Sequence, residues 1–480
     1  MMDSMIMDKR LTFKELEQKI FHETCATACI IMRKMLEDYD ECLRVGRDKT
    51  AYRNKGRRTT TVKTVFGEVT FCRTVYQTEN EDGTHRFVFL LDEALGLNTV
   101  GLFSELFVEK LVSGITTKSY RACAGELSET TAQGISATGV WNIVQALGEK
   151  LCREEKDLVE QHEKGLLKGE VEAPVVFEET DGVNLSLQGK DREESKSGKA
   201  EMKVAIAYDG WKAEGNNRYR LDKPVCFAGF AGSKEFHKAR EAKIAQKYNL
   251  DEAGCRILNG DGAGWIKKVP DRDTLFQLDV FHRNKAVKEK LLQKKAQEDV
   301  LSLLWEGDVE GVFSYLETYR DSVTDEEETR LADELIMYFE KNRDGLLPYS
   351  RRGLEIPESP EGLVYREMGT MEGHVWGIVA RRMKHNHTSW SKAGANSLAK
   401  ILGKKFEGKL GEVAHKLEKP TFLEGDTEES LDEALGEMMS AAKAPTVDGK
   451  GYEYPRKGSF SAIYSARRGD SVKAFRMAGY

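Results

Sequence analysis

The sequence feature that most constrains the fold is an apolar run that ends in an aspartate between two glycines. The run Ile257-Leu258-Asn259-Gly260-Asp261-Gly262-Ala263 has the pattern of a buried strand with an acid at its tip. Glycine lets the backbone turn sharply there and lets a ligand approach closely. Two further apolar runs carry acids, namely residues 175–181, which end before Gly182, and residues 276–282, which contain Asp279. Carboxylates grouped at strand ends usually hold a divalent metal ion, so the sequence predicts a metal site built from strand ends.

The length and composition predict a globular protein of several units. A chain of 480 residues exceeds one compact core, so we expect roughly two to four units. No run of roughly 18 apolar residues occurs, and the first residues lack the apolar core of a secretory signal. We therefore expect a cytoplasmic protein without a membrane span. The net charge of −7 does not by itself indicate nucleic-acid binding.

The eight cysteines are scattered and include no Cys-x-x-Cys pair. Reduced thiols, mostly buried, are the first interpretation of this pattern. A zinc site is the alternative.

The N-terminal part divides into a helix and a basic β-hairpin. Thr12-Phe13-Lys14-Glu15 is a capping box that opens a long helix within residues 1–50, which either packs within the fold or self-associates. Residues 51–88 contain a β-branched, alternating stretch with Gly67 at a turn, which predicts a hairpin. Its basic side chains could form a solvated face or contact a DNA backbone, and the candidates are Arg53, Arg57, Arg58 and Lys63.

Residues 89–170 are predicted to be helical, with the proportions of a helix-turn-helix between Ser119 and Leu151. Ser136 would cap the second helix, with Asn142 and Gln145 facing DNA. The side chains expected to pack inward are Trp141, Val144 and Leu147. Such patterns also arise in helical proteins that do not bind DNA.

The following residues predict an α+β architecture. Strand patterns occur at residues 173–180, 183–188, 202–208, 255–259 and 274–280, with a helix at 236–248. This order matches a ribonuclease H-like α/β core, whose first part spans residues 171–284. Residues 285–360 form a helical insertion, residues 361–409 return to the core with Glu372 at a helix start, and residues 410–480 read as a charged tail.

At these motifs the chain resembles a family of bacterial insertion-sequence transposases of the Lre-two type, long catalogued as an uncharacterised protein family. It is similar more broadly to Mutator-like transposases. The resemblance covers most of the chain. Its most specific parts are Asp181-Gly182, Asn259-Gly260-Asp261-Gly262-Ala263 and Leu278-Asp279-Val280-Phe281-His282. It implies a ribonuclease H-like core with an Asp, Asp, Glu triad that a helical insertion interrupts.

Carried over by motif, the resemblance implies Asp181, Asp261 and Glu372 as the catalytic, metal-binding triad. Glu361 and Glu367 are alternatives for the third acid, because the insertion leaves its spacing free.

Asp279 and His282 match the Asp-x-x-His pattern that follows the second acid in the family. His282 would contact phosphate or lie behind the metal ligands, or it would only hydrogen-bond Asp279. Lys267, Arg381 and Arg382 would contact DNA phosphates or be ordinary surface cations.

The implied chemistry is cleavage and strand transfer at phosphodiester bonds. Two Mg²⁺ ions roughly 3.5–4 Å apart, with Mn²⁺ as an alternative, activate the attacking oxygen and stabilise the leaving oxygen in such reactions. The expected partners are double-stranded DNA, as terminal inverted repeats and target, and further copies of the chain, and the protein would associate with the nucleoid. A metal-dependent nuclease or resolvase of the same fold is one alternative function. A catalytically inactive DNA-binding regulator is another.

Overall fold

The computed structural model describes residues 12–80, 83–97, 103–267, 274–385 and 388–417. Their contacts group into two compact units. The first contains the described residues up to Leu147 and those from Leu410 onward, and the second runs from Gly148 to Lys409. Most of the expected charged tail, residues 418–480, lies outside the described residues.

The first unit starts with a long helix and a small antiparallel sheet. Helix α1 spans Phe13–Gly46, and the predicted capping box between Thr12 and Glu15 is confirmed. The hairpin is also confirmed, as strands β1 (Arg53–Thr64) and β2 (Gly67–Glu79). A third strand that the sequence did not indicate, β3 (His85–Val88), pairs with the end of β2.

Among the described residues, four helices follow. They are α2 (Leu90–Leu95), α3 (Glu105–Ile115), α4 (Tyr120–Thr130) and α5 (Ala137–Glu163). Ser136 caps the last of these helices as predicted, since it accepts a hydrogen bond from Gly139 N, and Ser119 caps α4 by accepting one from Ala122 N. Helix α5 is longer than expected and includes most of the charged stretch after Leu151.

A five-stranded sheet forms the centre of the second unit. Its elements in chain order are β4 (Val175–Ser186), α6 (Gly189–Glu194), β5 (Lys199–Tyr208), β6 (Trp211–Gly215), β7 (Arg218–Leu221), β8 (Val225–Gly229), α7 (Ser233–Lys247), β9 (Cys255–Gly260), α8 (Gly264–Lys267) and β10 (Thr274–Leu278). The strand order across the sheet is β10-β9-β4-β5-β8, and β6 and β7 form a separate hairpin. Strand β5 is antiparallel to β4 and β8, whereas β4, β9 and β10 are mutually parallel.

The first strand of this sheet corrects a boundary expected from the sequence. Residues 173–180 and 183–188 were expected to be two strands, but β4 runs without interruption from Val175 to Ser186. It stays extended because β5 pairs with it along Phe177–Ser186, through the Asp181-Gly182 step. Asp181 therefore lies inside a strand and not at its end.

A buried ion network holds helix α7 against the sheet. Glu178 on β4 accepts from Arg256 Nε on β9 at 2.7 Å, and Arg256 also pairs with Glu241 on α7 at 2.9 Å. Arg240 on α7 lies 3.5 Å from Glu178 and 2.8 Å from Glu241. Removing one member of such a network would leave a buried charge without its partner, which is strongly destabilising.

The residues of the expected helical insertion form helices after β10, and the first of these helices starts at Val280, before the expected boundary at residue 285. These helices are α9 (Val280–Lys290), α10 (Lys294–Glu306), α11 (Val309–Ser322) and α12 (Glu326–Lys341). They share one hydrophobic core that includes Val287, Val300, Leu316 and Phe339.

A broken helix then returns the chain to the sheet. It consists of α13 (Met371–Val375), a π-helical turn (Trp376–Ala380) and α14 (Arg381–Met383), and it is followed by α15 (Lys392–Phe406) and α16 (Gly411–Ala414). Helix α13 packs against β4 and α15 packs against β8.

Candidate functional site

Three aspartates lie in one row where the parallel pairing of the sheet ends. The pairing of β4 with β9 ends at Thr180 and Gly260, and that of β9 with β10 ends at Gly260 and Leu278. Neighbouring strands lie roughly 4.8 Å apart, so residues that follow these pairs are close together. The residues in question are Asp181, Asp261 and Asp279.

The electrostatics of Asp181 reflect this crowding. The pKa of its carboxyl is raised to about 6, first by burial and also by the negative charges of Asp261 and Asp279. A hydrogen bond from Gly182 N at 2.7 Å and the nearby His282 act in the opposite direction. A carboxylate whose ionised form is destabilised by burial and like charges is suited to binding a cation.

Asp261 sits on a tight turn that the helical insertion supports. Its Oδ1 accepts from Ala263 N at 2.8 Å, and its carbonyl accepts from Tyr338 Oη of α12 at 2.8 Å. Gly262 has φ +82°, and a Cβ there would lie 2.7 Å from Asn342 Oδ1. The sharp turn at Gly262 is thus as predicted. The group that approaches this glycine closely is the side chain of Asn342 and not a ligand.

Asp279 and His282 form a pair on the first turn of α9. They were expected within a strand, but the strand ends at Leu278 and Asp279 caps the helix. Its Oδ2 accepts from His282 N at 3.1 Å and lies 3.0 Å from His282 Nδ1. Burial opposes ionisation of Asp279, but these bonds and one from Asn259 outweigh it and lower its pKa. The pKa of His282 is raised by the same hydrogen bond.

The centre of the site is a carboxylate that the sequence interpretation missed. Glu179 is fully buried on β4 and accepts from Tyr208 Oη at 2.7 Å. It also binds the start of the returning helix, by accepting from Gly369 N at 3.2 Å, Thr370 N at 3.1 Å and Met371 N at 3.2 Å. A carboxylate at a helix N-terminus satisfies donors that lack partners within the helix.

Asn259 joins this carboxylate to the aspartate row. Its Nδ2 donates to Glu179 Oε2 at 3.2 Å and to Asp279 Oδ1 at 3.0 Å. Glu179 lies two residues before Asp181 on one strand, so both side chains are on the same face. That spacing is the signal from which the sequence could have indicated Glu179.

Glu372 lies on the first turn of α13, directly after Met371, and its side chain is exposed. The anchoring of this helix at Glu179 brings the backbone of Glu372 to β4. Of the alternatives, Glu361 is exposed, and Glu367 accepts a hydrogen bond from Ser350 Oγ. Among the described residues, no group of three or more His, Cys, Asp and Glu side chains is arranged to hold a metal ion.

The donor set nevertheless fits a hard divalent cation in part. Asp181 and Asp261 supply carboxylate oxygens, which Mg²⁺ prefers, and Mg²⁺ usually takes one or two protein carboxylates with water and phosphate. The raised pKa of Asp181 is caused first by burial, and the negative charges of Asp261 and Asp279 add to it. Glu372 was the expected third ligand. Among the described residues, its exposed side chain does not form a metal-binding cluster with Asp181 and Asp261.

The cations predicted near these acids differ in their surroundings. Lys267 Nζ donates to the carbonyl of Lys341 and lies 4.9 Å from the ring of Phe276. Arg381 is exposed and lies 5.5 Å from the Trp376 ring, whereas Arg382 is half-buried. Of these side chains, Arg381 presents its charge most openly.

The basic patch on the first sheet is smaller than predicted. Arg53 and Arg57 are exposed and Arg58 is half-buried, but Lys63 is buried beside the ring of Phe103. Burial lowers the pKa of Lys63. The expectation that Lys63 is a surface cation for DNA is therefore wrong, because its part of β1 faces the core of the unit.

The expected recognition face on α5 also changes. Asn142 is exposed as predicted, but Gln145 is buried and Trp141 is 42% exposed. The buried stripe follows Val140, Val144 and Leu147 at helical spacing. Gln145 lies beside that stripe and Trp141 lies away from it, so the predicted roles of these two side chains are wrong.

No helix within the described ranges is long and apolar enough to cross a membrane. The eight cysteines, all of which lie in the described ranges, form no disulfide bond.

Comparison with known proteins gives two findings. The family model of the uncharacterised protein family UPF0236 matches residues 6–419. The chain is also similar to a UPF0236 protein in the vanSb 3′ region of Streptococcus gallolyticus, with 24% identity over 348 residues that cover 70% of each chain.

Proposed function

The chain belongs to the uncharacterised protein family UPF0236, and we propose that it is a DNA transposase of an insertion sequence. It would bind terminal inverted repeats and catalyse metal-dependent cleavage and strand transfer. The observation that carries this proposal is the row of Asp181, Asp261 and Asp279 at the end of the parallel pairing.

The sheet supports a ribonuclease H-like core as part of the proposal. Three neighbouring strands of the sheet, β4, β5 and β8, occupy one side, with the middle strand antiparallel, and β9 and β10 extend the other side in parallel with β4. In the chain, the helical insertion lies between the second acid and Glu372, as the resemblance implies.

In this proposal Asp181 and Asp261 hold the metal ions, and Glu372 joins them when DNA is bound. Mg²⁺ ions at such a site activate the attacking oxygen and stabilise the leaving oxygen of the phosphodiester. Asp279 holds His282 in one orientation, in which the ring Nε2 could donate to a phosphate oxygen. Glu179 fixes the helix that carries Glu372, and the exposed Arg53, Arg57 and Arg381 are suited to phosphate contacts.

The test is a strand-transfer assay with the full chain, Mg²⁺, DNA that carries the flanking ends of the element, and a plasmid target. Asp181→Asn and Asp261→Asn should each abolish cleavage and joining and leave binding of the ends nearly unchanged. Asp251→Asn, which alters an exposed acid of the same unit, is the matched control. Mg²⁺-dependent cleavage by either site variant would overturn the assignment, and cleavage without joined products would favour the nuclease alternative.

The third acid is tested in the same assay. Glu361→Gln, Glu367→Gln and Glu372→Gln are compared in parallel, and only Glu372→Gln should be inactive. A carboxylate on a helix anchored to the sheet can be held within the tolerance that metal catalysis needs. If one of the other two variants lost cleavage and Glu372→Gln cleaved normally, the third acid would be Glu361 or Glu367 and not Glu372.

A further inference from the structure

Two residues before each aspartate of the site lies a buried polar residue. These residues are Glu179 on β4, Asn259 on β9 and Gln277 on β10, and none of the three is accessible to solvent. Glu179 pairs in register with Asn259, and Asn259 pairs in register with Gln277. Paired residues of adjacent strands point to the same face of a sheet, so the three polar side chains lie side by side. Each of them therefore needs hydrogen-bond partners within the fold.

Hydrogen bonds join these side chains into one chain of bonds across the sheet. Gln277 Oε1 accepts from Tyr349 N at 2.7 Å, and Gln277 Nε2 donates to Asn259 Oδ1 at 3.1 Å. Asn259 Nδ2 in turn donates to Glu179 Oε2 at 3.2 Å and to Asp279 Oδ1 at 3.0 Å. This amide chain therefore runs from Tyr349, in the segment that follows α12, to two carboxylates of the site.

The ends of the amide chain permit only one orientation of its two amides. A backbone N–H group can only donate, so Tyr349 N requires the oxygen of the Gln277 amide. The NH2 group of Gln277 then faces Asn259 and requires its oxygen. At the other end, Glu179 Oε2 already accepts from three backbone N–H groups, so this oxygen carries no proton and requires the NH2 group of Asn259. Turning either amide by half a turn would bring two donors or two acceptors together, so both ends enforce the same direction.

The first donor of the amide chain is itself fixed in place. Tyr349 Oη donates to Arg366 O at 2.9 Å, and the centre of its ring lies 5.6 Å from that of Phe177. The same segment is held to β10 by a hydrogen bond from Arg352 Nη1 to Phe276 O at 2.8 Å. The amides therefore lie between a donor and acceptors that the fold holds in place.

We propose that Gln277 is a positioning residue, which orients Asn259 and so secures the bonds that Asn259 makes to the carboxylates of the site. One of these carboxylates, Glu179, anchors the helix that carries Glu372. Gln277 lies two strands away from Glu179, which is roughly 10 Å, so it acts on this carboxylate through Asn259. The orientation of the amides follows from the bonds alone, whereas its effect on cleavage rests on the proposed function.

The first experiment is a double-mutant cycle in the unfolding of the full chain, which needs no assumption about function. Gln277→Met keeps the size of the side chain and removes its amide, and Glu179→Gln removes the carboxylate. Substitutions about 10 Å apart that share no partner have additive effects on stability. In the double variant Asn259 can turn to suit the new amide at position 179. The factor by which the double variant raises the unfolding equilibrium constant should therefore be about fivefold smaller than the product of the two single factors.

Unfolding in urea is followed by tryptophan fluorescence, because five of the six tryptophans lie in the second unit. The matched control is Glu178→Gln on the opposite face of β4, which should combine additively with Gln277→Met. Gln277→Asn, whose side chain is too short to bond both Tyr349 N and Asn259, is the second variant and should behave as Gln277→Met does. Additive effects of the substitutions at Gln277 and Glu179 would overturn the proposal.

The second experiment measures cleavage by the same proteins at a temperature well below their melting temperatures. Gln277→Met should lower kcat by about tenfold or more and leave the KM for DNA nearly unchanged, because the acids lose their alignment while phosphate contacts elsewhere still hold the DNA. Added to Glu179→Gln, it should lower kcat little further, since both substitutions release the same helix. Glu178→Gln should have a nearly normal kcat.

The two experiments separate the positioning role from the proposed function. A normal kcat for Gln277→Met per folded molecule would overturn the role of Gln277 as a positioning residue. A wild type that does not cleave DNA would overturn the proposed function, and the unfolding experiment would still decide whether the amide chain couples Gln277 to Glu179.

Discussion

At the scale of single residues, burial of the Asp181 carboxyl lowers the stability of the fold when this side chain is ionised. Its pKa of about 6 in the fold lies above the ordinary aspartate value of 3.8. Protonation therefore favours the folded state, and this contribution is present near pH 4 and is lost as the pH rises through about 6. At pH 8 the ionised side chain costs on the order of 3 kcal/mol.

We therefore predict that Asp181→Asn raises the melting temperature by a few degrees at pH 8 in the presence of EDTA. The gain should shrink as the pH falls to 5, where the native carboxyl is mostly protonated. Thermal unfolding of both proteins at the two pH values measures the effect. An equal difference at both pH values would contradict the raised pKa as its cause.

A second prediction at this scale concerns Glu179. Glu179→Gln removes the negative charge of a carboxylate whose Oε2 accepts from three backbone N–H groups at the start of α13, so the anchor of this helix should weaken. Under the proposed function, cleavage should fall at least tenfold and DNA binding should remain, because Glu372 would be misplaced. The loss of stability should be about 2 kcal/mol.

The adjacent residue provides the control. Glu178 lies on the opposite face of β4 in the ion network with Arg256. Glu178→Gln should also lower stability, but cleavage per folded molecule should be close to normal. Cleavage is measured at a temperature well below the melting temperatures of both variants. If both variants lost cleavage equally, Glu179 would be needed only for the stability of the fold.

Among the elements, the first sheet is the candidate for sequence-independent DNA contact. Its exposed arginines are Arg53, Arg57, which lies 3.8 Å from Asp40, and Arg86, whereas Lys63 is buried and Arg73 pairs with Asp92 at 2.7 Å in the core. We predict that Arg53→Gln with Arg57→Gln weakens binding to all duplexes by roughly tenfold near 0.1 M salt. The slope of log K against log salt should fall by about one for each phosphate that the variant no longer binds.

The measurement is a fluorescence-anisotropy titration over a range of salt concentrations. Lys294→Gln with Lys295→Gln removes the same charge from exposed positions on α10 and serves as the control. An equally large reduction of affinity in the control would mean that the net charge of the chain, and not the first sheet, sets the affinity.

For the whole molecule, we predict that metal binding at Asp181 and Asp261 stabilises the fold. A ligand that binds only the folded state at about 100 times its Kd adds about 2.7 kcal/mol. Millimolar Mg²⁺ or Mn²⁺ should therefore raise the melting temperature of the wild type. The double variant Asp181→Asn with Asp261→Asn should show no such rise.

The same melting-temperature measurement with calcium and with sodium salts separates specific metal binding from the effect of ionic strength. Sodium at equal ionic strength should have little effect. A rise in the double variant as large as in the wild type would place the stabilising metal elsewhere.

Local sequence patterns determined the elements whose causes are local. The capping box predicted the start of α1, the β-branched run predicted the β1–β2 hairpin, and amphipathic spacing predicted the insertion helices. The acids Asp181, Asp261 and Asp279 were also found from sequence, because each follows or lies within an apolar run that the sheet buries.

Only the tertiary structure decided which polar side chains are buried and which acids meet. Lys63 and Gln145 are polar in sequence, yet neighbouring elements cover them. Asp181 stays within a strand because β5 pairs beyond the end of β9, an interaction between segments distant in sequence. Glu179 and Gly369 are joined by a hydrogen bond across 190 residues. Local patterns cannot encode such a bond, because it forms only when the sheet and the returning helix are packed together.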